Sequence, residues 1–359
     1  MIKKFILPYI IFVIFIFFSL DLLITNLFLK NYGDGCFEIE EYYYELKKNC
    51  LKKDQFKPGF PIVNIYTDEL GMRVGKNHLK KKNSKDVLIF GDSFTYGVGL
   101  EYEETFIGIL EKKIESLNFY NHAVGSYSPS VHLYRLKKTL SNKYIQPKKI
   151  IVFLDISDVY DESNRWVYSE DNFKPILITN QWKEIIKKKN KFIKKNFWIS
   201  NFIASKLNFY LREFRSSRKN NLTSHSNKVK TSIQGQFTYT KINELSNFWT
   251  EENLNNGISK IKKNINSISD ISKKKDIEFF LVIYPWAETI EYGQNEFDWE
   301  KFAETLCSNN KCKLINTFPY FRDYVMKNKN WSTDLYFSND EHFNNKGNII
   351  IANILEKKI

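Results

Sequence analysis

Two short segments carry residue types that together could perform nucleophilic catalysis. The first is Gly91-Asp92-Ser93-Phe94-Thr95, directly after the apolar run Asp86-Val87-Leu88-Ile89-Phe90. A serine that ends a buried strand and starts a helix lies where open parallel sheets bind ligands. Its hydroxyl is exposed there, and the helix N-terminus offers backbone N–H groups and a positive dipole end for an oxyanion. Gly91 permits the tight turn. Taken alone the segment reads as an N-cap serine. The second segment changes that: Asp340-Glu341-His342-Phe343-Asn344-Asn345-Lys346-Gly347, a loop before a last helix. A serine hydroxyl is a weak nucleophile until a base takes its proton, and the base needs an acid to orient it. Of His78, His122, His132, His225 and His342, only His342 combines a nearby acid with such a loop. Asp340 can fold back to its Nδ1–H and leave Nε2 for Ser93. His122 also lies near a strand end but has no local acid, and reads as a core or loop histidine. The chemistry open to Ser93, His342 and Asp340 is acyl transfer through a serine ester.

These residues need a rigid frame. Strand-like runs at Asp86–Phe90, Phe119–His122 and Ile150–Leu154 alternate with helix-like spacing through Phe106, Ile109, Leu110 and Ile114 and across Val131–Leu140. Ile150–Leu154 is uninterrupted apolar chain, as expected of a strand buried on both faces. The alternation implies a doubly wound sheet, a three-layer α/β/α domain, flavodoxin-like in strand order. It stops between about 161 and 247, where the chain is basic, aromatic and Ser/Asn-rich, with an amphipathic helix expected at Phe197–Phe214. It resumes with a helix at about Asn253–Lys275, strands Ile277–Tyr284 and Lys313–Asn316, and a last helix Gly347–Glu356. Residues 84–359 are therefore one domain with a basic helical insertion, and 31–83 are a stalk or packed N-terminal extension.

The first 30 residues concern location. Phe5 to Leu29 is apolar except chiefly for Asp21 and Asn26, long enough to cross a bilayer, so a membrane partner is expected through residues 5–29. Lys3 and Lys4 favour a cytoplasmic N-terminus and an extracytoplasmic, periplasmic remainder. Cleavage as a signal peptide is the rival reading, but Gly33-Asp34-Gly35 is the sole small-residue site and no alanine precedes Ala123. Four cysteines, none in a C-x-x-C pattern, fit an oxidising compartment, with Cys36–Cys50 and Cys307–Cys312 as the expected pairs.

The net charge of +13 is local, because fourteen Lys and Arg stand against two Glu between Lys183 and Lys230. That stretch, 183–230, is a solvated face or a contact for anionic lipid or polysaccharide. No nucleic-acid-binding motif accompanies it, so nucleic acid is not an expected partner. Asp158, Asp161 and Glu162 read as a solvated acidic loop rather than a metal site, Gly97-x-Gly99 as a turn, and no cofactor or metal is expected.

From about Val87 onward the chain resembles the SGNH/GDSL hydrolase superfamily, especially bacterial membrane-anchored members found with surface-polysaccharide genes. Gly91-Asp92-Ser93 is similar to its nucleophile block, and Asn121–Gly125 to the block whose glycine lends an oxyanion-hole N–H. Asp340-x-His342 with Asn344 and Gly347 is similar to the last block of polysaccharide O-acetyltransferases and esterases, and Tyr284-Pro285-Trp286 to an element after the fourth strand. The third block departs: Asp155-Ile156-Ser157-Asp158 stands where Gly-x-Asn-Asp is expected. The resemblance implies an oxyanion hole of Ser93, Gly125 and Ser157, with Asp92, Asp158, Trp286 and Asn344 near substrate. It also implies an acylated carbohydrate or small ester as partner. A catalytically impaired glycan-binding or assembly protein on the same fold is the alternative that Ser157 raises.

Overall fold

The computed structural model describes residues 3–29, 35–39, 43–57, 59–81, 83–142, 144–168, 175–177, 196–220, 251–294, 297–338 and 340–359. The chain divides into two compact units. One comprises Met1–Phe37, Cys50–Ile65 and Thr179–Asn227; the other comprises Glu38–Asn49, Tyr66–Ile178 and Lys228–Ile359.

The chain begins with helix α1 (Lys3–Phe28), followed by short strands β1 (Phe37–Ile39), β2 (Tyr44–Leu46), β3 (Leu51–Asp54), β4 (Val63–Thr67) and β5 (Arg73–Val74). In the larger unit come β6 (Lys85–Phe90), α2 (Ser93–Tyr96), α3 (Phe106–Lys113), β7 (Leu117–Asn121), α4 (Pro129–Leu140), β8 (Pro147–Leu154) and α5 (Ser157–Asn164). The small pair β9 (Trp166–Tyr168) and β10 (Pro175–Leu177) is antiparallel. After α6 (Trp198–Asn220) the larger unit resumes with α7 (Glu251–Lys274), β11 (Glu278–Ile283), α8 (Ala287–Tyr292), α9 (Trp299–Asn310) and β12 (Lys313–Asn316). It ends with α10 (Phe318–Lys327), α11 (Trp331–Leu335) and α12 (Asn345–Glu356).

Five strands form one parallel sheet in the order β12-β11-β8-β6-β7. Numbered along the chain, that is 2-1-3-4-5 read from the β7 edge, the flavodoxin-like order, with the topological switch between β6 and β8. Val87–Phe90, Ile150–Leu154 and Phe279–Ile283 are almost wholly buried, because helices cover both faces. Helices α3 and α12 pack together on one side, and α4, α7 and α9 on the other. The expected three-layer α/β/α domain is present.

Of the two readings of 31–83, stalk or packed extension, residues 38–49 and 66–83 follow the second, since they fold within the larger unit. Arg73 shows why, since its guanidinium is fully buried and donates to the carbonyls of Tyr96 at 2.5 Å, Gly97 at 2.7 Å, and Leu100. Asp161 and Glu162 are not a solvated loop. Glu162 is completely buried in α5 and accepts from Ser128 Oγ at 2.7 Å and from Ser130 N at 2.6 Å and Oγ at 2.5 Å. Asp161 accepts from Arg165 Nε at 2.8 Å. The insertion therefore begins beyond α5. The helix after Ser93 is a single turn, closed by Gly97 at φ 81°, where the sequence led us to expect a turn.

In the smaller unit, Pro8–Phe28 of α1 is long and apolar enough to cross a membrane. Cys36 and Cys50 are joined there, and Cys307 and Cys312 in the larger unit, as expected. The expected amphipathic helix at Phe197–Phe214 appears as α6. Lys183–Lys195 and 221–230 of the basic stretch lie outside the described residues.

Candidate active site

Ser93 follows the carboxyl end of β6 at the switch point. Gly91 is obligatory in this turn, since a Cβ there would stand 2.1 Å from Thr95 Oγ1. Asp92 caps the single-turn helix by accepting from Phe94 N at 2.9 Å. One turn carries little macrodipole, so any help to an anion comes from individual N–H groups. Ser93 itself is half-buried.

His342 arrives from the loop before α12. Its Nε2 lies 2.7 Å from Ser93 Oγ, and its Nδ1 lies 2.5 Å from Asp340 Oδ1. The same carboxylate oxygen accepts the His342 backbone N–H at 2.9 Å, which closes the Asp-x-His turn. An ionised Asp340 only accepts, so Nδ1 carries the ring proton and Nε2 accepts from the serine hydroxyl. The ring packs against Phe94 at 4.7 Å. Asn344 pins the loop: its amide donates to Thr333 O and Tyr336 O, both at 3.1 Å, and its oxygen caps α12 through Lys346 N and Gly347 N. Tyr336 Oη donates to Pro285 O at 3.0 Å, tying this loop to the end of β11.

Gly125 comes beside the nucleophile, since a Cβ on it would stand 3.7 Å from Ser93 Cβ. Its peptide is held from behind. Tyr44 Oη donates to Gly125 O at 2.6 Å, Trp166 Nε1 donates to Ser126 O at 2.9 Å, and Ser126 adopts φ 60°. Burial pushes the Tyr44 phenol up to about 12, so it remains a donor. Tyr44 and Trp166 pack 5.7 Å apart. Neither residue was anticipated from sequence, and neither lies in a motif.

Ser157 does not stand as a free donor. Its hydroxyl and its amide both donate to Asp155 Oδ1, at 2.6 Å and 2.8 Å. The expected substrate neighbours Asp92, Asp158 and Trp286 are buried and engaged within the protein, and the half-buried Asn344 side chain is engaged as well. Tyr284 Oη bridges Asp92 at 3.0 Å and Asp155 at 3.1 Å, Trp286 Nε1 donates to Asp155 at 2.8 Å, and Asp158 accepts Asp155 N at 2.9 Å. One phenol proton serves one carboxylate. Burial, then the charge of Asp155, push Asp92 well above the carboxylate range. Burial, then the charges of Asp155 and Asp92, do the same to Asp158.

His122 is stacked on Phe90 at 4.9 Å, and burial pushes it well below its ordinary value. It is a neutral core histidine. Among the described residues, the one group of His and acids within metal-ligating reach is Asp340, Glu341 and His342. Two of its members already form the chain of contacts to Ser93.

Similar solved structures include an acetyl xylan esterase, AlAXEase, at 13% identity and TM-score 0.43, covering 76% of this chain and 99% of that one. A member of the lipolytic protein G-D-S-L family from Veillonella parvula has 10% identity and TM-score 0.40, covering 77% and 98%. TesA has 10% identity and TM-score 0.40, covering 76% and 96%. No curated protein matches the sequence. A family described as a protein of unknown function, DUF1574, matches residues 1–289, from α1 through the Ser93 turn to Trp286 and α8, and the chain belongs to that family.

Proposed function

We propose that this chain is a serine-dependent acyl-ester hydrolase or O-acyltransferase acting on an extracytoplasmic acylated glycan or related ester. The observation that carries the reading is the continuous Ser93–His342–Asp340 contact chain, at 2.7 Å and 2.5 Å. Ser93 Oγ attacks the ester carbonyl while His342 Nε2 takes its proton. The imidazolium is stabilised by Asp340 and returns the proton to the leaving alcohol, which departs from an acyl-serine. Water or a sugar hydroxyl then repeats the sequence in reverse. The Ser93 and Gly125 N–H groups hold the oxyanion. Asp92, Asp155 and Asp158 act as a buried frame behind the turn, and Asn344 and Trp286 as positioning residues.

The anchor reading of α1, with the larger unit outside the membrane, supplies the glycan context. The commitment of the Ser157 hydroxyl to Asp155 favours a second reading, a glycan-binding protein with impaired turnover. A fluorophosphonate probe separates the two. Wild-type protein becomes labelled at Ser93 and hydrolyses an aryl acetate, and Ser93→Ala loses both, with turnover down by roughly 10³-fold or more. Absence of labelling on folded wild-type protein would leave the binding reading.

A further inference from the structure

The smaller unit is inside-out by the standards of a protein in water. Asp21 and Thr25 of α1 are each only 1% exposed, whereas Leu20, Leu23 and Leu27 on the same helix are 52%, 56% and 64% exposed. What buries the polar pair is the start of α6. Trp198 N donates to Thr25 Oγ1 at 3.1 Å, and Ile199 N and Ser200 N donate to the two Asp21 oxygens at 3.1 Å and 2.8 Å. Ser200 Oγ also donates to Asp21, and Thr25 Oγ1 donates to it at 2.8 Å. The first N–H groups of a helix have no partner within it. In hydrocarbon such groups and an aspartate are both costly unless they satisfy each other.

Beyond that lock, α6 carries an exposed apolar stripe. Ile203, Leu207, Tyr210 and Leu211 are 43%, 58%, 63% and 50% exposed and recur at one-face helical spacing. The lock sits deep in α1: Asp21 is seven residues before Phe28, about 10 Å along the axis, and Phe197 packs on Phe18 at 5.9 Å. A stripe that continues from this depth meets the same solvent as the exposed face of α1.

We infer that α6 is a second membrane-embedded element: Asp21 and Thr25 clasp its N-terminus within the bilayer, and its Ile203–Leu207–Leu211 face lies against lipid acyl chains. This rests on α1 spanning a bilayer.

All four native cysteines are in disulfides, so an introduced one is the only free thiol. Full-length protein with a single cysteine at Leu23, Ile203, Leu207 or Leu211 is labelled with an environment-sensitive fluorophore. It is then placed in phosphatidylcholine vesicles whose acyl chains carry a nitroxide. Emission should fall about twofold or more at all four positions, and stay constant for labels at Tyr144 and Met326, which are 88% and 79% exposed in the larger unit. Quenching at Leu23 without quenching at Leu207 and Leu211 overturns the inference and leaves the α1 reading intact. Failure at Leu23 overturns both. A Leu207 label shielded from aqueous iodide but not quenched by lipid means protein covers the stripe, which also overturns it. With Asp21→Leu, and more weakly with Asp21→Asn, quenching at Leu207 should drop while Leu23 is unchanged; no drop would overturn the clasp.

Discussion

The hydroxyl of Ser157 donates to Asp155 at 2.6 Å, and its amide does so at 2.8 Å. A donor already committed to a carboxylate has no proton to give an oxyanion. Ser157→Ala should therefore lower kcat for an aryl acetate by less than about tenfold, far below the 10²–10³ typical of a lost oxyanion donor. Tyr44→Phe should do more, although Tyr44 touches no substrate, because it frees the Gly125 peptide beside Ser93. We expect kcat to fall by about tenfold with KM nearly unchanged and the denaturant midpoint kept; a midpoint lowered far enough to unfold the protein under assay conditions would point to loss of folded protein instead. The carboxyls behind the turn set a pH trend. Burial raises Asp92 and Asp158 and lifts Asp161 to about 7. In the unfolded chain these groups lose their protons near pH 4. Above that pH the folded state binds more protons than the unfolded one, so stability falls as pH rises from about 4 toward 7. Denaturant midpoints should show this fall, and Asp158→Asn, which keeps an oxygen to accept Asp155 N–H, should flatten it.

Elements whose logic is local were legible in the sequence. Ile150–Leu154 and Ile277–Tyr284 are runs that only a sheet covered on both faces would bury, and both are central strands. Asp340 and His342, two residues apart, meet by a turn their own backbone makes. What was missed depends on partners far along the chain. Glu162 is an acid in a polar stretch until Ser128 and Ser130 are seen to receive it, and Arg73 is an isolated cation until three carbonyls after the nucleophile are seen around it. No periodicity encodes such contacts. The Gly97-x-Gly99 turn was legible too, and Gly97 in the left-handed region ends the helix that starts at Ser93 after one turn. Arg73 then matters at the level of this element, because it stands in for the helix that does not continue. Arg73→Met leaves buried carbonyls without donors and should cost roughly 3 kcal/mol, read as a lower denaturant midpoint at unchanged slope.

For the molecule as a whole, charge and apolar surface meet in one stretch of chain. Of the fourteen Lys and Arg between Lys183 and Lys230, seven precede α6, five lie within it and two follow it, and α6 also carries the apolar stripe. Basic residues near an anionic headgroup layer contribute about 1 kcal/mol each before screening. Replacing Lys187, Lys188, Lys189, Lys191, Lys194 and Lys195 with Gln should abolish low-salt binding to anionic vesicles by protein lacking α1, with aryl-acetate turnover unchanged. Equal binding by both forms would make the stretch a solvated face.

The contact between Ser93 and His342 joins residues 249 positions apart. Most of what aims the serine, from Gly91 and Arg73 to Tyr44 and Gly125, is drawn from the first half of the chain, with Tyr284 added from beyond β11, and the base and its acid come from beyond the final strand. A folding chain can thus complete its nucleophile turn long before it owns a proton acceptor. Such a chain carries only an ordinary alcohol at that position, and it is harmless to every ester it meets. If the proposed esterase reading holds, turnover requires the docking of the His342 loop against Pro285 and Phe94, and activity then reports that long-range contact.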